Sequence, residues 1–149
     1  MSTVYQQSFK VNTNGFTDIL DITEQVTAIL QDSKKQDGII NVFVIGSTAG
    51  ITTIEFEEGA VLDLKNAFER IAPMDANYSH NERWGDGNGF SHIRASILGP
   101  SLSIPFKNET IELGTWQQIV LVDFDNRKRE RNIRVEIEHY STQSICTII

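Results

Sequence analysis

Residues 116–139, WQQIVLVDFDNRKRERNIRVEIEH, decide the fold class. Trp116 to Phe124 reads as a long strand, rich in β-branched and aromatic residues. Asp125-Asn126-Arg127-Lys128 then reads as a turn. Asn132 to His139 resumes with Ile133, Val135 and Ile137 on one face. On the other face Arg134, Glu136 and Glu138 are expected to blunt a sheet edge against unwanted pairing. Just upstream Leu102, Ile104 and Phe106 alternate, Lys107-Asn108-Glu109 turns, and Ile111 to Leu113 resumes. The last third of the chain is therefore antiparallel β.

Working toward the N-terminus, Ile93, Ser96 and Ile97, closed by Gly99-Pro100, suggest a short helix, with a strand as the alternative. Pro73 to Gly89 is polar and carries Gly85-Asp86-Gly87-Asn88-Gly89. Loops of that length inside a compact domain are usually functional or disordered. Ala60, Val61, Leu64, Ala67, Phe68 and Ile71 make one apolar stripe, with Glu57 and Glu58 at the positive end of the helix and Pro73 as its stop. Ile39 to Ile45 is a buried strand. Ile22, Val26, Ile29 and Leu30 fall at helical spacing behind Asp21 and Glu24, which resemble a capping box. Tyr5, Gln7, Phe9 and Val11 alternate as an opening strand. Strands, two to three helices, then a run of antiparallel strands imply an α+β fold with sandwich-like sheets, in one domain spanning residues 1–149.

Composition narrows the function. Thirteen Lys and Arg against twenty Asp and Glu give a formal charge of −7, which disfavours nucleic acid and anionic membranes as partners. Ile39 to Ile45, the longest apolar stretch, is far short of the ~20 residues that span a bilayer. Met1 to Lys10 lacks a basic segment followed by an apolar one, so a cytoplasmic location is expected. The single cysteine, Cys146, excludes an intramolecular disulfide and a Cys-based metal knuckle.

Three segments carry candidate chemistry. Gly46-Ser47-Thr48-Ala49-Gly50 combines close backbone approach with two hydroxyls, which suits an anion; a tight turn satisfying its own backbone is the plainer reading. Tyr78-Ser79-His80 with Asp86-Gly87-Asn88 and Ser91-His92 brings two imidazoles, a carboxylate and an amide into one stretch, fit for proton transfer or a cation. Two histidines are thin for zinc, which takes about three or four protein ligands. The third segment is Asp125 to Arg131, where alternation puts Arg129 and Arg131 on one face, able to fork a phosphate. A solvated hairpin paired with Glu130, Glu136 and Glu138 explains the same charges.

Taken together, these segments resemble the YjbQ-like family, also called secondary thiamine-phosphate synthases. The resemblance runs from Ile22-Thr23 to Val135. It is carried by Ser47-Thr48-Ala49 with Thr52, Thr53 and Glu55, by Tyr78-x-His80, and by Asp86 to His92 running into Leu98-Gly99-Pro100. Leu113 to Gln117, Asp125 and Arg129-x-Arg131 complete it. It implies a β-rich α+β subunit, assembly as a homotrimer, and weak joining of a pyrimidine diphosphate to a thiazole phosphate. Such a reaction implies a divalent metal (Mg or Zn) and a small phosphorylated metabolite as substrate. Under it, Glu55, His80 and His92 are the catalytic candidates. Ser47, Thr48, Asp86, Asn88, Arg129 and Arg131 are the substrate-binding candidates, and His80 and His92 the metal ligands. Many members carry a histidine where this chain has Gly46, and another where it has Phe90. The alternative is therefore a non-catalytic trimer that binds a small ligand or metal through a degenerate site. A small metal-dependent hydrolase using His80, His92 and Glu55 or Asp86 is a third reading.

Overall fold

A computed structural model describes residues 4–140; Cys146 lies outside the described residues. The elements run β1 (Tyr5–Thr13), β2 (Asp18–Asp21), α1 (Thr23–Ser33), β3 (Gly38–Ile45), β4 (Ala49–Ile54), α2 (Glu58–Ile71), α3 (Ser79–Trp84), α4 (Gly89–Leu98), β5 (Ser101–Lys107), β6 (Thr110–Ile111), β7 (Gln118–Asp123) and β8 (Arg129–His139). They form two antiparallel sheets, one ordered β1-β8-β3-β5-β6 and one ordered β2-β7-β4. The fold is α+β, as expected, with four helices among the described residues instead of two or three.

Period-two patterning explains the main core. Ile40, Val42 and Val44 of β3 and Ile133, Val135 and Ile137 of β8 point inward from the large sheet. They meet Ala49, Ile51, Ile119 and Leu121 of the small sheet, with Val26, Ile29 and Leu30 of α1 closing the gap. A second cluster lies on the other face of the small sheet. There Phe68 of α2 and Ala95 of α4 cover Val120, Val122 and Phe124, with the Phe68 and Phe124 rings edge-on at 4.7 Å. Because β7 is covered on both faces, it reads as a continuous apolar run.

Several boundaries move for local reasons. The helix at Ile22 starts one residue later than a capping box needs: Ile22 is the cap position, and Asp21 Oδ1 instead accepts from the Thr23 backbone (2.9 Å) and hydroxyl (2.6 Å). Glu57 does cap α2, accepting from the Gly59 and Ala60 amides, which hold its carboxyl below the usual range. The polar stretch 73–89 contains α3, and α4 begins at Gly89, so the helical reading of 93–97 holds and the strand alternative falls. Trp116 stands in the Gly114–Gln117 turn and is 70% exposed, which shortens the strand there to Gln118–Asp123. Finally, β8 is no edge: it lies between β1 and β3, and its charged face looks to solvent, where Arg134 pairs with Glu136.

Candidate functional site

The β3–β4 turn builds one wall. Gly46 has φ +140°, a conformation L side chains rarely adopt, and a Cβ there would lie 2.8 Å from Arg131 Nη1. A histidine at this position would collide with that guanidinium. Ser47 is exposed, whereas Thr48 is buried and faces inward. The Thr48 hydroxyl donates to Asp125 Oδ2 (2.9 Å) and accepts from Arg131 Nη2 (2.7 Å).

Behind the turn lies a charge network. Arg131, 6% exposed, grips the fully buried Asp123 through Nε to Oδ2 (2.6 Å) and Nη2 to Oδ1 (2.7 Å). Thr13 donates to the same carboxylate at 2.6 Å. Arg129 Nε donates to Asp125 Oδ2 at 2.8 Å. Burial alone would raise the Asp125 pKa; the Arg129 and Thr48 hydrogen bonds, the Arg129 charge and the Asn126 amide outweigh it and hold the carboxyl below its ordinary value. The two arginines expected to fork a phosphate thus fork internal aspartates, and their partners are not Glu130, Glu136 and Glu138. Arg131 is sealed in, while Arg129 borders an open cleft with Asn12, Asn14 and Lys128.

The other wall comes from α3 and α4. His80 and His92 stack with ring centroids 4.4 Å apart and 38° between planes. His80 Nδ1 lies 3.2 Å from Asp86 Oδ1 without the alignment of a hydrogen bond. The Asn88 amide nitrogen, in the orientation its surroundings favour, lies 3.1 and 3.2 Å from the two Asp86 oxygens. Asn126 Nδ2 donates to the Asp86 carbonyl at 2.8 Å. His92 then lines a cleft of about 190 Å³ with Gly46, Ser47, Ala49, Ala95, Ser96 and Pro100. Ser47 and His92 therefore share one opening, with His80 stacked against His92, a pairing suited to proton transfer and anion contact.

Two candidates lie elsewhere. Glu55 follows β4 at the end paired with Gln118, whereas Ser47 precedes the end paired with Asp123. The six-residue strand between them rises roughly 17 Å. Phe90 is two positions before His92 on α4, about 200° around the helix. Its ring is buried and sits 5.0 Å from the Arg94 guanidinium, which bonds Thr17, Ala72 and Glu69. Phe90 therefore takes nothing from the face that carries His92. Phe90→His is expected to cost about 1–3 kcal/mol, because it buries a polar ring beside a cation. Urea unfolding measures that loss, and a gain of metal binding or activity would contradict the assignment of faces.

Among the described residues, no group of three or more His, Cys, Asp or Glu side chains is placed to hold a metal ion. Sequence reasoning missed Asp123 and Thr13, and it read Asn126 only as part of the 125–131 hairpin. Asp123 left a signal, a carboxylate inside the apolar run from Ile119 to Phe124, since a buried charge requires a partner.

The family model described as "UPF0047 protein YjbQ-like" matches residues 7–139. A UPF0047 protein of Methanothermobacter thermautotrophicus is 38% identical over 90% of this chain and 92% of its own length. A YbjQ-like protein of unknown function from Sulfolobus solfataricus superposes with TM-score 0.88 at 33% identity, covering 94% of this chain and 100% of that one. A YjbQ/UPF0047 family protein from Clostridium acetobutylicum gives 0.80 at 32%, covering 88% and 98%.

Proposed function

We propose that this chain, which belongs to the YjbQ-like UPF0047 family, is a small-molecule transferase working in the Ser47–His92 cleft at low rate. The reaction we assign is thiamine-phosphate formation. The thiazole nitrogen attacks the methylene carbon of the pyrimidine diphosphate, a C–N bond forms, and the C–O bond breaks with its electron pair leaving on diphosphate. Charge therefore develops on the departing oxygen. The observation that supports the reading is the shared opening: Ser47 and His92 line one space, and the His80 ring stacks against His92. An imidazole N–H there donates to the leaving diphosphate, and so does the hydroxyl. A divalent cation would neutralise the diphosphate. The donors present suit one shared with substrate phosphates and a single carboxylate, Asp86, better than a zinc held by the chain alone.

Purified protein given both substrates and Mg²⁺ is expected to form thiamine phosphate above background. No product, and no rescue of a strain lacking its main synthase, would overturn the assignment.

One observation favours a second reading. Both arginines are neutralised by internal aspartates, which suits a scaffold that binds a small ligand without turning it over. In either case we propose assembly as a homotrimer in the cytoplasm. The outer face of β3, with Ile39, Phe43 and Ile45 exposed, offers apolar surface for a second copy. No helix among the described residues is long and apolar enough to cross a membrane.

A further inference from the structure

We infer that residues 79–87 form a hinged arm over His92, and that Asn126 is the latch that holds it shut. The inference rests on the reading that the His92 cleft is the working site, and it deepens that reading by naming a positioning residue.

The arm has little to hold it. None of the α3 side chains is buried, and six residues of helix have no stability of their own in water. Its position is therefore set by a few tethers. The His80 ring lies on His92, the Gly89 amide donates to Asn81 Oδ1 at 2.8 Å, the Asn88 amide lies 3.1 and 3.2 Å from the Asp86 carboxylate oxygens, and Asn126 Nδ2 donates to the Asp86 carbonyl at 2.8 Å. On either side of Asp86, Gly85 and Gly87 have φ of +70° and +68°. A Cβ on Gly85 would meet nothing within 4 Å, so open space surrounds the hinge.

The latch stands on the rigid side of this contact. Asn126 follows Asp125 directly, and its own amide donates to Asp125 Oδ1 at 2.8 Å. Asp125 is in turn fixed by Thr48 and Arg129. The same buried network thus holds the Ser47 turn and the residue that grips the arm. When the Asn126 bond opens, the Asp86 carboxylate is held only through Asn88 and the neighbouring His80, and the His80 ring can lift off His92, which lines the cleft. One solvent-reached hydrogen bond is worth a shift in the open-to-closed ratio of roughly 2- to 10-fold. A latch of that strength can open and close without unfolding the domain.

The test uses the full chain and does not depend on activity. Hydrogen exchange and NMR are compared for the wild type, Asn126→Ala, and Asn126→Asp, which keeps the shape but loses the donor. Amides of 79–88 are expected to exchange about 2- to 10-fold faster in both variants, with β7 and β8 amides unchanged. The nuclear Overhauser effect between the His80 and His92 rings should weaken in parallel. Asn81→Ala, which cuts the second tether, is expected to do the same. Exchange at 79–88 that stays at the wild-type rate would overturn the latch, as would a uniform rise across the fold or an unchanged ring-to-ring signal. A chain that makes no thiamine phosphate yet shows the localised change would refute the reaction and keep the latch.

Discussion

Arg131→Met is expected to lower stability by about 3–5 kcal/mol, the cost of breaking a buried ion pair from one side. The guanidinium makes two bonds to Asp123 and one to Thr48, all out of water. Its loss leaves the Asp123 carboxylate with only the Thr13 hydroxyl and the Asp125 amide. Domains of this size hold about 5–15 kcal/mol in all, so roughly a fifth or more of the total goes. Urea unfolding should show a lower midpoint at unchanged slope, and melting should fall by about 6–20 °C. Lysine is not expected to rescue, since a point charge cannot reproduce two fixed N–H donors. Adding Asp123→Asn should recover part of the loss, because the stranded charge then disappears. A loss below about 1 kcal/mol would mean that the network does not hold the β3–β4 turn.

The same network sets an acid limit. Asp125 has its pKa depressed in the folded state, so its contribution is fully present above the unfolded value of about 3.9 and is lost as pH falls through the folded one. Arg129→Met removes the main opposing cause and should move the acid-unfolding midpoint upward.

The second large effect concerns chemistry. His92→Ala is expected to reduce thiamine-phosphate formation by about 10²–10⁴-fold, the usual contribution of a positioned acid or base. Stability should change little, since His92 is partly exposed in the cleft. Glu55→Gln is the control that separates geometries. Glu55 stands roughly 17 Å of strand away, so its substitution should leave kcat/KM near the wild-type value. Equal losses at Glu55 and none at His92 would place the working site at the other end of β4.

Local patterns already fixed much of this protein before any contact was known. Alternation marks β1 and β8, the β-branched and aromatic run marks β3, the apolar stripe marks α2, and the glutamates at 57 and 58 mark its start. Each is a relation between residues two to four positions apart, and the α+β class and family follow from their order. Tertiary structure alone decided which charges meet. Thr48 and Arg131 are 83 residues apart, and Thr48 and Asp125 are 77 apart, so no periodicity relates them. The pairing of β4 with β7 sets Thr48 beside Asp125, and that of β3 with β8 sets it beside Arg131, so both arginines meet internal aspartates. The β4–β7 pairing also carries Glu55 away from Ser47. Helical geometry, once α4 is known to begin at Gly89, turns Phe90 away from His92. Residue types thus announced a polar site, while register and burial chose which of them can touch a ligand. Hydrophobic patterning is local, but a buried charge is satisfied only by whichever strand the fold brings beside it.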